Sequence, residues 1–262
     1  MVSGRGVMQM SSPYKVLSSK ELMHKMNKAL DKGKPLSVVS VGATETFVMA
    51  QYIVLSEEEL MAHPQAISTN ANKSQRGFRF PNIVLQDEMI SSVKQADIVA
   101  YPLTIRSMDA GLMTEKVFQA CNIKPKYVYE ALIRRVLYNT QKNEFERMLR
   151  RRRILLIGRM AEDVRAELEK TCKSRLGFDI VGTIGIEGYE DVPKVKHKIG
   201  EYSFDLCLLS AGVYSVILAP YIAITYGKVA FDMGQGMQSL VTGQVAESKF
   251  VRTIGMKRLL SM

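Results

Sequence analysis

The spacing of apolar positions changes several times along the chain, and each change marks an element. Ser18-Ser19-Lys20-Glu21 places a glutamate three residues after a capping serine. Leu22, Met23, Met26 and Leu30 then recur at helical spacing until Gly33. After Pro35, the short β-branched run Leu36 to Val41 ends at Gly42, which predicts a buried strand reaching a turn. Glu45 to Tyr52 predicts a helix, and Ser56-Glu57-Glu58-Glu59 offers a second capping box ahead of another. Residues 64–80 are polar, basic and contain glycine; they predict a long loop of the kind that serves as a binding loop or lid. Helical spacing returns over Pro81 to Ala96, Asp97 to Tyr101 reads as a strand, and Gly111 to Cys121 as a helix. Tyr127 to Leu137 is apolar and fits strand and helix equally. Gln141 to Arg152 is helical in pattern and runs into four arginines, Arg150 to Arg153.

From Arg153 the alternation is regular. Strands are predicted at Arg153–Gly158, Asp179–Ile186, Phe204–Leu209 and Lys228–Asp232. Helices are predicted at Ala161–Lys173, Val192–Ile199 and Val213–Tyr226. Strands alternating with helices predict βαβ units, and so a Rossmann-like α/β fold with a mostly parallel sheet flanked by helices. The expected organisation is a flexible arm (1–17), one α/β domain (18–245) with halves 18–149 and 150–245, and a C-terminal tail (246–262).

Composition changes this picture only at a few points. Sixteen methionines and no tryptophan suit gap-filling in a core. Cys121, Cys172 and Cys207 are odd in number and far apart, as are His24, His63 and His197, which argues against a disulfide framework or a zinc site. With no signal-peptide pattern in residues 1–12, a cytoplasmic location is expected. Leu206 to Tyr226 is uncharged and long enough to span a bilayer, but Ser210-Ala211-Gly212 and Pro220 interrupt it. A buried strand, turn and helix are expected there instead of a membrane span. The net charge of +10 suits a polyanionic partner. No aromatic residues interleave the basic clusters and no nucleic-acid-binding motif is present. A nucleic-acid partner, bound through residues 64–80 and Arg150 to Arg153, is therefore the lesser alternative. Self-association stays open.

In open α/β sheets, ligands bind beyond the carboxyl ends of the strands. Four such ends carry turn-forming or polar residues: Gly42-Ala43-Thr44-Glu45, Gly158-Arg159, Ser210-Ala211-Gly212 and Asp232-Met233-Gly234-Gln235-Gly236. Glycine lets backbone approach a ligand, and a following helix start attracts anions. No complete GxGxxG or Walker A motif accompanies them. Glu45 and Asp232 are the candidate catalytic carboxylates, although Glu45 could equally serve its own helix start.

The segment Leu36 to Glu45 resembles the opening strand and turn of the GT-D-type glycosyltransferases, in which a strand runs into an arginine, an apolar residue and Gly-Asp-Gly-Glu. The strands Ile154–Gly158 and Val229–Gly234, and the Asp205–Gly212 turn with Val216 to Ala219, resemble the later part of the same fold. The resemblance covers roughly residues 20–240. It implies a nucleotide-sugar donor such as a UDP-sugar, a glycan or glycosylated acceptor, and manganese or magnesium held by an Asp-x-Glu pair. In this chain Ala43 stands at the first carboxylate, Thr44 at the second glycine and Ser40 at the arginine. Two carboxylates at i and i+2 in a turn can share one hard cation, so Glu45 alone is a weak metal ligand that needs help, as from Asp232. On this resemblance Gly42, Thr44, Gly158, Arg159, Ser210, Ala211, Gly212, Gly234 and Gln235 would line the donor site. Arg76, Arg79 or Arg106 would meet the leaving diphosphate. A nucleotide-binding or scaffold protein that has lost transfer chemistry is the alternative.

Overall fold

The computed structural model describes residues 14–72, 77–104, 110–245, 251–252 and 255–260. Among them lies one sheet of eight parallel strands: β1 Lys15–Val16, β2 Leu36–Ser40, β3 Ile98–Tyr101, β4 Tyr127–Glu130, β5 Arg153–Gly158, β6 Asp179–Ile184, β7 Leu206–Ser210 and β8 Val229–Asp232. Their order across the sheet is β1-β4-β3-β2-β8-β7-β5-β6. A parallel sheet must be covered on both faces, so its strands are apolar on both sides. Val39, Val41, Leu155, Ile157, Cys207 and Leu209 join one core layer with the helices Ala43–Ala50, Ile83–Gln95 and Val213–Tyr226. Their neighbours Val38, Ile154, Leu156, Leu206, Leu208 and Phe231 join the other layer. There they meet the helices Ser19–Asp31, Lys142–Leu149, Ala161–Thr171 and Gly236–Thr242.

The two halves of the chain share the sheet, four strands each, and meet where β2 pairs with β8 in the register Leu36↔Val229, Ser37↔Ala230 and Val38↔Phe231. The uncharged stretch is accounted for here. Leu206–Ser210 is an interior strand, and Val213–Tyr226 is a helix packed over both β2 and β8, with Val216, Leu218 and Ala219 fully buried. A helix apolar on all sides belongs inside a protein or a membrane. No helix among the described residues is long and apolar enough to cross a membrane.

Several segments differ from the sequence reading. The expected loop 64–80 begins with a helix, Pro64–Ala71: Pro64 takes the first helical position, and His63 Nδ1 accepts from the Gln65 amide at 3.1 Å. Only Ala66 and Thr69 of this helix are buried, so it carries no apolar stripe. Tyr127–Leu137 is both of its alternatives in turn: β4, a 3₁₀ turn at Ile133–Arg135, then a helix at Leu137–Thr140. The helix before the arginine run stops at Leu149, and Arg151 adopts a left-handed φ of 56°. Of the residues assigned to the arm, Lys15 and Val16 pair with Tyr127 and Val128, and Leu17 is buried. In the tail, Val251 and Leu259 are buried against Leu132 and Val136.

Candidate functional site

The helix after β2, Ala43–Ala50, covers one face of the sheet, whereas the helix after the adjacent β8, Gly236–Thr242, covers the other. The neighbours β5 and β7 diverge in the same way, into Ala161–Thr171 and Val213–Tyr226. Such divergences define the crevices, at the carboxyl ends of the strands, where open α/β sheets bind ligands.

At the β2–β8 crevice lies Asp232, only 2% exposed. Its Oδ2 accepts from Arg134 Nη1 at 2.9 Å and from the Ser40 amide at 3.2 Å. Arg134 reaches it from the loop after β4. Glu130, at the end of β4, ties that loop to the one after β3: its buried carboxylate accepts from the Leu132 amide at 3.2 Å and from those of Leu103 and Thr104 at 2.9 and 2.6 Å. The strand registers pair Ser40 with Ala100 and Ala100 with Tyr129, so these three side chains lie in one row, with the small alanine between two hydroxyls. Ser40 Oγ, Tyr129 OH, Arg134 Nε and Asp232 Oδ1 are all buried without a hydrogen-bond partner. Burial, and after it the charge of Glu45, pushes Asp232 up to about 6 despite the guanidinium beside it. Burial opposes the charge on Arg134, but Asp232, Tyr129 and Glu45 hold it raised. Burial raises Tyr129 as well, and burial with the Arg134 charge pulls Arg135 down to about 10.

The glycines here are set by packing. Gly234 has a φ of +46°, and a Cβ on it would lie 2.5 Å from Arg134 Nη1. Gly158 has a φ of +141°, and its Cβ would lie 2.4 Å from the Ser210 carbonyl oxygen. Ser210 Oγ donates to the Gly234 carbonyl at 2.9 Å, so the ends of β5, β7 and β8 are knitted into one rim. The Ala211 amide donates to Ser215 Oγ at 2.9 Å, and Gly212 leads into the helix Val213–Tyr226.

The other predicted residues are placed variously. Glu45, half-buried, uses Oε2 to accept from the Gly42 amide at 2.9 Å, closing its own helix start. Thr44 is buried and accepts from Gln65 Nε2 at 2.9 Å. Gln235 is exposed at the tip of the β8 turn. Arg159 pairs at the surface with Glu187, 3.1 Å apart. Arg79 is exposed and, with Glu187, Glu190 and Asp191, lines a groove of about 590 Å³. Arg76 and Arg106 lie outside the described residues. The structure thus gathers Gly42, Glu45, Asp232, Gly234, Ser210 and Gly158 along the rim, and sets Arg159 and Arg79 beside Glu187. Arg134 and Tyr129 were missed, since both stand in an apolar run without a motif.

Few donor atoms among the described residues remain for a divalent cation. Asp232 Oδ2 already holds a guanidinium and an amide, Glu45 Oε2 holds an amide, and Ala43 offers no ligand. No group of three or more His, Cys, Asp or Glu residues suited to a metal occurs among the described residues. Hard cations require several oxygen ligands.

These features define an α/β protein with a polar, charge-bearing crevice at its strand ends. A family model, the GT-D fold-like domain, matches residues 17–240, and the chain belongs to that family. It is similar in structure to a domain described as the highly conserved domain of unknown function 1792 with a distinct glycosyltransferase fold. The TM-score is 0.51 at 16% identity, over 90% of this chain and 84% of that one. The selenomethionine-substituted structure of domain of unknown function 1792 gives 0.52 at the same identity and coverage. No match was found among curated proteins.

Proposed function

We propose that this protein is a glycosyltransferase that takes a nucleotide-sugar donor, such as a UDP-sugar, across the β2–β8 crevice. One observation carries the reading: adjacent strand ends of a GT-D fold-like sheet set the Arg134–Asp232 pair within electrostatic reach of Glu45. The glycosyltransferase fold described for its structural relatives supports it. In transfer, an acceptor hydroxyl attacks the anomeric carbon, the bond from that carbon to the phosphate oxygen breaks, and the diphosphate leaves with an added negative charge. A fixed cation stabilises that charge most where water is excluded. Glu45, whose Oε1 is not taken by the Gly42 amide, accepts the acceptor's proton in this reading. The acceptor is a glycan or a glycosylated molecule.

The test is a thermal-shift and calorimetric screen of UDP, GDP and their sugars, followed by product analysis with the donor that binds. A ligand of the folded state raises its melting temperature by mass action. Binding followed by transfer, with transfer lost in Glu45→Gln, is the expected result; no response to any nucleotide would end the proposal. A second reading, nucleotide binding without transfer, is favoured by Ala43. Binding with no turnover would select it.

A further inference from the structure

We propose that Arg134 itself supplies the positive charge of the donor site, so that this chain binds the diphosphate of its ligand without a divalent cation. The inference rests on the nucleotide-sugar reading above. The Arg134 side chain is 16% exposed and that of Asp232 is 2% exposed, so Arg134 is the more accessible member of the pair. A cation binding at Asp232 would have a like charge 2.9 Å from its ligand oxygen, whereas an anion beside Arg134 has its complement there.

Only Nη1 of that guanidinium is occupied, by Asp232; no other hydrogen bond from it is found among the described residues. The guanidinium is held by Asp232, and Glu130 fixes the backbone two residues before it by accepting from the Leu132 amide, so less freedom is lost when an anion docks. A planar guanidinium so fixed suits phosphate oxygens, with which it makes paired, charge-assisted bonds. Around it, Asp232 Oδ1, Ser40 Oγ, Tyr129 OH and Arg134 Nε stay unpartnered although buried. Buried polar groups in a purely structural cluster are almost always paired, because leaving one unpaired is costly. Such an arrangement is found where a charge is kept for use.

Calorimetric titration of UDP, in EDTA and in manganese, tests this on the full chain. The wild type should bind UDP in EDTA within about twofold of its affinity in manganese. Replacing the pair together, Arg134→Met with Asp232→Asn, leaves no buried charge behind and should weaken UDP roughly tenfold or more. Far-UV circular dichroism checks each fold. Should the double variant not fold, Arg134→Lys, which keeps the charge but not the planar fork, should give an intermediate loss. Abolition of UDP binding by EDTA, or undiminished binding by the double variant, overturns the inference and leaves the donor reading standing. If neither UDP nor GDP binds in either medium, the donor reading falls and this inference with it.

Discussion

At the scale of single residues, the Arg134–Asp232 pair sets both the strain and the titration of the site. Asp232 is raised from 3.8 to about 6, chiefly by burial, so the folded protein holds that proton more tightly than the unfolded chain does. The contribution of this protonation to stability is therefore complete below the unfolded value and is lost as pH rises through about 6. The displacement corresponds to about 3 kcal/mol. Urea denaturation of the wild type and Asp232→Asn across this range should show the wild type losing stability relative to the variant as pH climbs from about 4 to about 7. A constant difference would mean that Asp232 does not titrate there. Gly234 is the second test. With a left-handed φ and Arg134 Nη1 only 2.5 Å from any added Cβ, Gly234→Ala should cost on the order of 2 kcal/mol. Part of that cost should disappear in the background lacking the Arg134–Asp232 pair, since contacting residues are coupled.

At the scale of elements, legibility in the sequence followed how local the determining interaction is. The β5 run Arg153–Gly158 and the Ser18 capping box are specified by neighbouring residues, and both form where the pattern placed them. Pro64–Ala71 was read as loop because its helix is defined by a cap and a proline rather than by an apolar stripe. The site was only half legible. Glu45 and Asp232 stand at strand ends, where the pattern points. Arg134 pairs with a residue 98 positions away and sits in an ambiguous apolar run, so no local signal marks it. The segment at Arg79 is likewise held from a distance: Asn70 Nδ2 donates to the Phe80 carbonyl at 3.1 Å, and its Oδ1 accepts from the Phe80 amide at 2.7 Å. Phe78 and Phe80 are buried beneath. Asn70→Ala removes both bonds and should cost about 2 kcal/mol. Hydrogen exchange should show the Phe80 amide losing protection while β5 keeps its own. Equal loss in both would point to global destabilisation instead.

At the scale of the whole molecule, the crevice exists only because two half-sheets share a seam. Neither half alone could bury what it presents there: β2 would lose β8, and the wholly apolar helix Val213–Tyr226 would lose β2. An unpaired parallel edge and an uncovered apolar face are both costly. Unfolding should therefore be a single transition over both halves, even though each has the strand number of a small domain. Phe231, fully buried on β8 opposite Val38 on β2, is the residue to probe. Phe231→Ala should remove about 4 kcal/mol. If the seam couples the halves, hydrogen exchange will show β3 of the first half and β5 of the second losing protection by the same amount. Should β3 hold while β5 opens, the halves are separate cooperative units. The Arg134–Asp232 contact, which bridges them, would then break whenever the second half opens, and on the proposed donor reading nucleotide affinity would fall with the stability of that half alone.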